Sequence, residues 1–138
     1  MSDERIEPSV EHEYEVTFRP GTSEAGEQLL TVHVVTTREF TSYAYTLGLT
    51  LSIDHTRARI TIEVGGLSIP TVMMPAAKGA YGERSVIMPP EGEYIVELTR
   101  RSSSQRATLR IHSDGRASIT PDSQGGFAQF HIDPAWLR

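Results

Sequence analysis

A chain of 138 residues has the length of one ordinary domain and can bury a hydrophobic core without help from metals or disulfides. It contains no cysteine, which excludes disulfide frameworks, thiolate zinc sites and cysteine nucleophiles. The net charge of −5 repels phosphate backbones, and no apolar run approaches the length of a membrane span. We therefore expect neither a nucleic-acid partner nor insertion into a membrane.

The first residues differ in charge from the rest of the chain. Residues 1–27 hold eight acidic residues against two arginines, and residues 1–11 contain a proline but no apolar run. We interpret residues 1–11 as a flexible acidic leader and residues 12–138 as a single β domain. The sequence assigns no compartment: the cytoplasm is the default for a soluble chain, and a location outside it would require a signal that has been removed.

Alternation of apolar and polar residues with a period of two predicts strands along most of the chain. In residues 12–19 the alternation places Tyr14 and its apolar neighbours on one face. Residues 28–37 are apolar on both faces, as expected of a strand that is covered on both sides. The longest alternation runs over residues 43–55, and a further strand over residues 57–66 ends at a glycine pair.

The second half of the chain begins less regularly. A short strand is predicted at residues 67–74, an irregular loop at 75–83 and a strand at 84–89. Residues 92–120 then predict a meander of three strands, whose first hairpin has residues 101–105 as its tip.

In total we expect about eight or nine strands and no helix longer than a turn. Because one open sheet of that size would leave a large apolar face bare, the pattern predicts an all-β, antiparallel sandwich. Asp133 before Pro134 is typical of a capped helical turn, which would lay Trp136 on the fold at the end of the chain.

Residues 89–101, PPEGEYIVELTRR, contain Gly92 and Tyr94 at the start of a strand that leads into a hairpin. This motif resembles the Gly-x-Tyr start of a late strand in immunoglobulin-like sandwiches, including bacterial accessory modules. The resemblance covers about a tenth of the chain. It implies a binding or spacer module rather than an enzyme.

Five arginines crowd the predicted hairpin region between residues 91 and 119. Arg100, Arg101 and Arg106 surround its serine-rich tip, where guanidinium groups and main-chain amides could hold a sulfate, a phosphate or a carboxylate. Arg110 is expected on the outer face, opposite Glu97. The alternative is a solvated tip that discourages aggregation through strand edges.

A second candidate surface is the predicted loop that carries Lys78 and Tyr81. Methionines flank this glycine-containing loop, and such a combination can repack around varied partners. The alternative is that the methionines fill gaps in the core and that Tyr81 lies against the fold.

Histidine and aspartate recur two residues apart, as His112 with Asp114 and His131 with Asp133. On a strand this spacing puts both side chains on one face, so two such strands side by side would offer four metal ligands. Aspartate is also common at strand ends for turn or capping reasons.

No serine-hydrolase elbow, zinc-protease motif, phosphate loop or dinucleotide fingerprint occurs. The leading hypothesis is a non-catalytic module without a cofactor, which recognises a protein or glycan partner through loops or a sheet edge. One alternative is a metal-dependent small-molecule enzyme built on the two His-x-Asp pairs. Another is a structural subunit that forms homo-oligomers by self-association at a strand edge.

Overall fold

The computed structural model describes residues 13–40, 46–68, 78–122 and 126–137. For residues 38–40, 67–68, 78–80 and 137 the description is limited to the backbone. The strands are β1 (Tyr14–Thr22), β2 (Gln28–Phe40), β3 (Thr46–Asp54), β4 (Arg59–Ser68), β5 (Lys78–Ile87), β6 (Gly92–Arg100), β7 (Ser103–Ile111), β8 (Ala117–Pro121) and β9 (Ala128–Ile132). A 3-10 turn (Pro134–Leu137) follows β9. The prediction of an all-β chain that ends in a short helical turn is confirmed.

The nine strands within the described ranges belong to one sheet, in the order β8-β7-β6-β4-β3-β5-β2-β1-β9. The ladders β1–β2, β2–β5, β3–β4, β6–β7 and β7–β8 are antiparallel, whereas β4–β6, β1–β9 and β3–β5 are parallel. The two terminal strands of the order, β8 and β9, approach each other, so the sheet is nearly closed and barrel-like. It is thus not clearly divided into the two sheets of the expected sandwich.

One described residue pair joins two halves of the sheet. Among the residues that the structure describes, β3 pairs with β5 through Thr46 and Tyr81, which links β8-β7-β6-β4-β3 to β5-β2-β1-β9. Next to this pair the two backbones lie very close, since a Cβ added to Gly82 would be 2.4 Å from the carbonyl oxygen of Leu47. Only glycine, which has no Cβ, allows the two backbones to approach this closely, so Gly82 is required where the two halves join.

One hydrophobic core fills the inside of the sheet. Its fully buried large side chains come from β1, β2, β4, β6 and β7: Val16, Phe18, Leu30, Val32, Val34, Ile60, Ile62, Val96, Leu98 and Leu109. The alternation at residues 43–55 becomes β3, in which Leu47 and Leu49 are buried and Leu51 is partly buried. Because each such side chain contributes about 1.5–3 kcal/mol when it leaves water, this core is the main source of stability.

Gln105 closes the gap between β7 and β9. Its side-chain amide donates to the carbonyl of Ala128 (2.7 Å) and accepts from the N–H of Ala128 (3.0 Å). The side chain thereby supplies both hydrogen bonds that a neighbouring strand would otherwise provide. Gly126, at a φ of 88°, leaves room for it, since a Cβ there would lie 2.4 Å from Oε1 of Gln105.

The 3-10 turn packs on the fold as predicted. Oδ1 of Asp133 accepts the N–H of Ala135 at 2.9 Å, which caps the turn. Trp136 is buried and donates from Nε1 to the carbonyl of Gly115 at 2.9 Å, so it ties the turn to the β7–β8 connection. In the described part of the chain no helix is long and apolar enough to cross a bilayer.

The β6–β7 hairpin is tighter than its sequence predicts. Arg100 pairs with Ser103, so the turn consists of Arg101 and Ser102 alone, and residues 103–105 belong to β7. The prediction of a five-residue tip at residues 101–105 is therefore wrong. Arg101 adopts a φ of 56°, and this left-handed conformation lets two residues reverse the chain.

β5 begins at Lys78, inside the range 75–83 for which the sequence predicts an irregular loop. That prediction is wrong for residues 78–83, because the long strand β2 supplies antiparallel partners as far as Phe40. Most of the short strand predicted at residues 67–74 lies outside the described residues.

Tyr94 is buried, and its hydroxyl donates to the carbonyl of Pro90 at 2.7 Å. Burial raises the pKa of Tyr94 above its ordinary value of 10.0. Above about pH 10 the unfolded chain therefore loses the phenol proton first, which favours unfolding. We expect stability to be unaffected by this group below that pH and to fall as the pH rises through the raised pKa.

The variant Tyr94→Phe tests this expectation. At neutral pH it should lower the free energy of unfolding by about 1 kcal/mol, through loss of the hydrogen bond to Pro90. Urea titrations at a series of pH values above about 10 should then show a shallower loss of stability than in the parent chain. If stability falls equally with pH in both proteins, Tyr94 is not the source of this pH dependence.

Candidate functional site

Two of the hairpin arginines have carboxylate partners on neighbouring strands. Nε of Arg106 lies 3.8 Å from Glu97, which also accepts a 2.8 Å hydrogen bond from Arg59. Arg110 forms an ion pair with Glu93. The predicted pairing of Arg110 with Glu97 is wrong, because the two-residue turn sets a register in which Glu97 lies opposite Arg106. These ion pairs give both arginines a structural role on the outer face of the hairpin.

Arg100 has different surroundings, since it lies across two aromatic rings. Its guanidinium carbon is 5.0 Å from the ring centroid of Phe127 and 5.9 Å from that of Tyr14, within the range of a cation–π contact. Its Nη1 donates to the carboxylate of Glu13. Nε is buried and has no hydrogen-bond partner among the residues that the structure describes. Residues from opposite ends of the chain thus fix one guanidinium group.

Arg101 is exposed and strained. A φ of 56° is unfavourable for a residue with a long side chain and costs on the order of 1 kcal/mol. Seven of the nine arginines with described side chains form ion pairs: Arg19, Arg57, Arg59, Arg100, Arg106, Arg110 and Arg116. Arg84 donates to a backbone carbonyl. Of these nine, Arg101 alone has neither an ion pair nor a hydrogen bond from its side chain to a described residue.

Arg100 and Arg101 border a pocket of about 340 Å³ at the end of the fold where β6 stops and β1 starts. The other lining residues are Glu13, Tyr14, Val64, Gly65 and Gly66. The sequence predicts that the strand ends at this glycine pair, but β4 continues beyond it to Ser68. The pair forms a bulge opposite Gly48, where the register between β3 and β4 shifts. The bulge brings main chain without side chains to the pocket wall.

The charges in the pocket favour an anion. Two guanidinium groups face one carboxylate, that of Glu13, so one positive charge is not balanced by the lining residues. Burial raises the pKa of the Tyr14 hydroxyl, and the nearby charge of Arg101 offsets part of this rise. The hydroxyl therefore stays protonated at neutral pH. Guanidinium groups and exposed main chain are groups that hold carboxylates, sulfates and phosphates.

The other predicted binding residues lie elsewhere. Arg106 is on the outer face of the hairpin beside Glu97, so it does not join Arg100 and Arg101 in the pocket. Tyr81 is exposed on β5, and its ring stacks on that of His33 with centroids 5.7 Å apart. Lys78 is the first residue of β5, and only its backbone is described.

The aspartates of the two His-x-Asp pairs have main-chain roles. Asp133 caps the 3-10 turn, and Oδ1 of Asp114 accepts the N–H of Arg116 at 3.0 Å in the β7–β8 turn. Both aspartates thus have the turn or capping role that is common at strand ends, which was the alternative to metal binding.

The histidines of these pairs have separate neighbours. Nε2 of His131 is 3.0 Å from Oε1 of Glu15 on β1, and Nε2 of His112 is 3.4 Å from the hydroxyl of Ser118. No group of three or more His, Asp or Glu side chains that could hold a metal ion occurs within the described ranges. The four predicted ligands are therefore not assembled into a metal site.

A larger pocket of about 580 Å³ lies at the opposite end of β1. Its lining is rich in prolines, and Glu91 and His112 are its ionisable side chains. This lining offers one carboxylate and one imidazole, whereas the lining of the Arg100 pocket includes two adjacent guanidinium groups. The Arg100 pocket is therefore the better candidate for a functional site.

Comparison of the chain with protein-family models, with curated proteins and with solved structures finds no match. The immunoglobulin-like resemblance of residues 89–101 stays a prediction. The function has to be inferred from the chemistry of the pocket itself.

Proposed function

We propose that this chain is a non-catalytic binding module that holds an anionic group of a partner in the pocket between Arg100 and Arg101. The observation that carries the proposal is Arg101, an exposed cation at the pocket rim that is unpaired among the described residues. Its backbone is held in a strained conformation beside a second guanidinium group. Strain of this kind is concentrated at functional positions of proteins.

Preorganisation favours the pocket as a binding site. The Arg100 side chain is already fixed over Phe127 and Tyr14, so little rotamer entropy is lost when a ligand arrives. Charge-assisted hydrogen bonds from such a group contribute about 1.5–3 kcal/mol each. Two adjacent arginines can therefore supply a useful part of the affinity for a partner.

The position of the pocket also fits a binding module. In immunoglobulin-like sandwiches the loops cluster at the two ends of the strands and often carry the binding surface. The hydrogen bond from Tyr94 to the carbonyl of Pro90 is of the type known there as a tyrosine corner, in which the hydroxyl returns to the backbone a few residues upstream. This contact supports an immunoglobulin-like, sandwich-related architecture. The partner would be a protein or a glycan that carries acidic groups.

The variant Arg101→Gly tests the proposal. Glycine removes the cation and accepts a φ of 56° without strain, so the folded chain should be as stable as the parent or more stable by up to about 1 kcal/mol. With succinate and inorganic sulfate as probes, the side-chain Nε–H resonances of Arg100 and Arg101 should shift in NMR titrations of the parent chain. In the variant the apparent affinity for both probes should fall about tenfold.

Arg57→Gly is the matched control, because Arg57 is also an exposed arginine in a turn but has an ion pair with Asp54. It should leave the titration unchanged. The proposal is wrong if neither probe shifts the two resonances in the parent chain. It is also wrong if Arg57→Gly weakens binding as much as Arg101→Gly.

A further inference from the structure

We infer that the anion held by the pocket is a side-chain carboxylate of an acidic protein segment, and that Glu13 is the internal carboxylate which this segment displaces. This inference rests on the proposed function and adds the chemical class of the ligand. Its first support is the contact between Glu13 and Arg100, since the pocket already accepts a carboxylate.

Glu13 is built to release its side chain without disturbing the fold. Its N–H donates to the carbonyl of Phe127 at 2.8 Å, and its carbonyl accepts the N–H of Thr37 at 3.0 Å, so the backbone is fixed on both sides. The side chain, by contrast, is 54% exposed. The carboxylate can rotate into water while β1 stays in place.

The guanidinium groups have capacity that Glu13 does not use. The carboxylate of Glu13 binds Nη1 of Arg100, and Nε of Arg100 is buried, so a ligand would meet the outer edge of this group. The spare capacity lies on Arg101, whose side chain makes no ion pair or hydrogen bond to a described residue. A planar carboxylate matches the two parallel N–H groups of a guanidinium fork. A segment with two acidic side chains could therefore pair with both arginines.

The glycine bulge favours a protein over a glycan. Gly65 and Gly66 are exposed, and neither appears in the ladder of β4 with β3 or with β6. A Cβ added to Gly66 would contact nothing within 4 Å, so the space above it is open. An extended peptide can bind such a stretch through its own main-chain amides, as in strand addition to a sheet edge.

The test compares Glu13→Gln with Glu15→Gln, which is a matched control because Glu15 is a similarly exposed glutamate two residues away that faces His131. The probe is an acetylated and amidated peptide, Gly-Glu-Glu-Gly-Glu-Glu-Gly, measured by isothermal titration calorimetry with the full chain. Removal of the internal competitor should tighten binding about three- to tenfold in Glu13→Gln. In Glu15→Gln the affinity should equal that of the parent.

Two further probes separate the possible outcomes. The same peptide with glutamine in place of glutamate should not bind, and a tetramer of galacturonic acid should bind more weakly than the acidic peptide. Equal affinity of the peptide for Glu13→Gln and the parent would overturn the role of Glu13, and tighter binding of the uronic acid would overturn the assignment to a protein. In both cases the proposed function would stand if Arg101→Gly still weakens binding. If none of these acidic probes binds the parent or Glu13→Gln, the proposed function fails as well.

Discussion

Replacement of Gln105 with leucine is expected to lower the free energy of unfolding by about 4 kcal/mol. The substitution keeps a buried side chain of similar size but removes both hydrogen bonds to Ala128. The N–H and carbonyl of that buried residue are then left without partners, and each unsatisfied group costs about 1–3 kcal/mol. Urea denaturation measures the loss directly.

Hydrogen exchange can show that the lost stability arises from the unpaired backbone of Ala128. The amide of Ala128 should exchange much faster in Gln105→Leu than in the parent chain, because its acceptor is gone. Gln129→Leu is the control, since Gln129 is an exposed residue of β9 and its replacement should change stability by less than about 0.5 kcal/mol. Equal stability of the two variants would show that Gln105 does not close the sheet.

Gly82→Ala is expected to lower the free energy of unfolding by about 3 kcal/mol. The added Cβ would lie 2.4 Å from the carbonyl oxygen of Leu47, and a backbone atom cannot move aside as a flexible side chain can. Relief of the clash must separate β5 from β3, whose described pairing is that of Thr46 with the neighbouring Tyr81. The loss is measurable as a lower denaturation midpoint.

Gly66→Ala provides the comparison for Gly82→Ala. Gly66 is exposed, and a Cβ there would contact nothing within 4 Å. Because alanine also restricts the unfolded chain, Gly66→Ala should be neutral or slightly stabilising. If both alanine variants have the stability of the parent, the close approach of β3 and β5 is not a real constraint on this fold.

The period of the hydrophobic pattern predicts the strands well, because one buried face is a local property of each strand. Phe18 and Leu49 alternate with polar neighbours, and both are buried. The register between paired strands is less local, because it depends on the turn that joins them. The β6–β7 turn contains two residues where the sequence suggests five, because the pairing of Arg100 with Ser103 depends on whether Arg101 accepts a left-handed backbone. Composition alone does not determine that choice.

Half of the candidate site could be predicted from the sequence. Arg100 and Arg101 are adjacent residues in a conspicuous arginine cluster, and the pattern correctly indicates them as neighbours at a strand end. Glu13 and Phe127 could not be found in this way, since 87 positions separate Glu13 from Arg100. The ladder of β1 with β9 brings Glu13 beside Phe127, and the nearly closed sheet brings both to Arg100 at the end of β6. The Gly65–Gly66 pair is a visible signal, but it is typical of a turn as well as a bulge.

The parallel ladder between β1 and β9 has a consequence for how the protein is made. Of the described strands β9 leaves the ribosome last, yet its partner β1 is the first of them. During translation β1 therefore presents one unpaired backbone edge until residue 128 has emerged, and such an edge can recruit a strand from another nascent chain. Closure of the fold is therefore a late step that waits for β9, and chains that terminate before β9 should be the ones that aggregate.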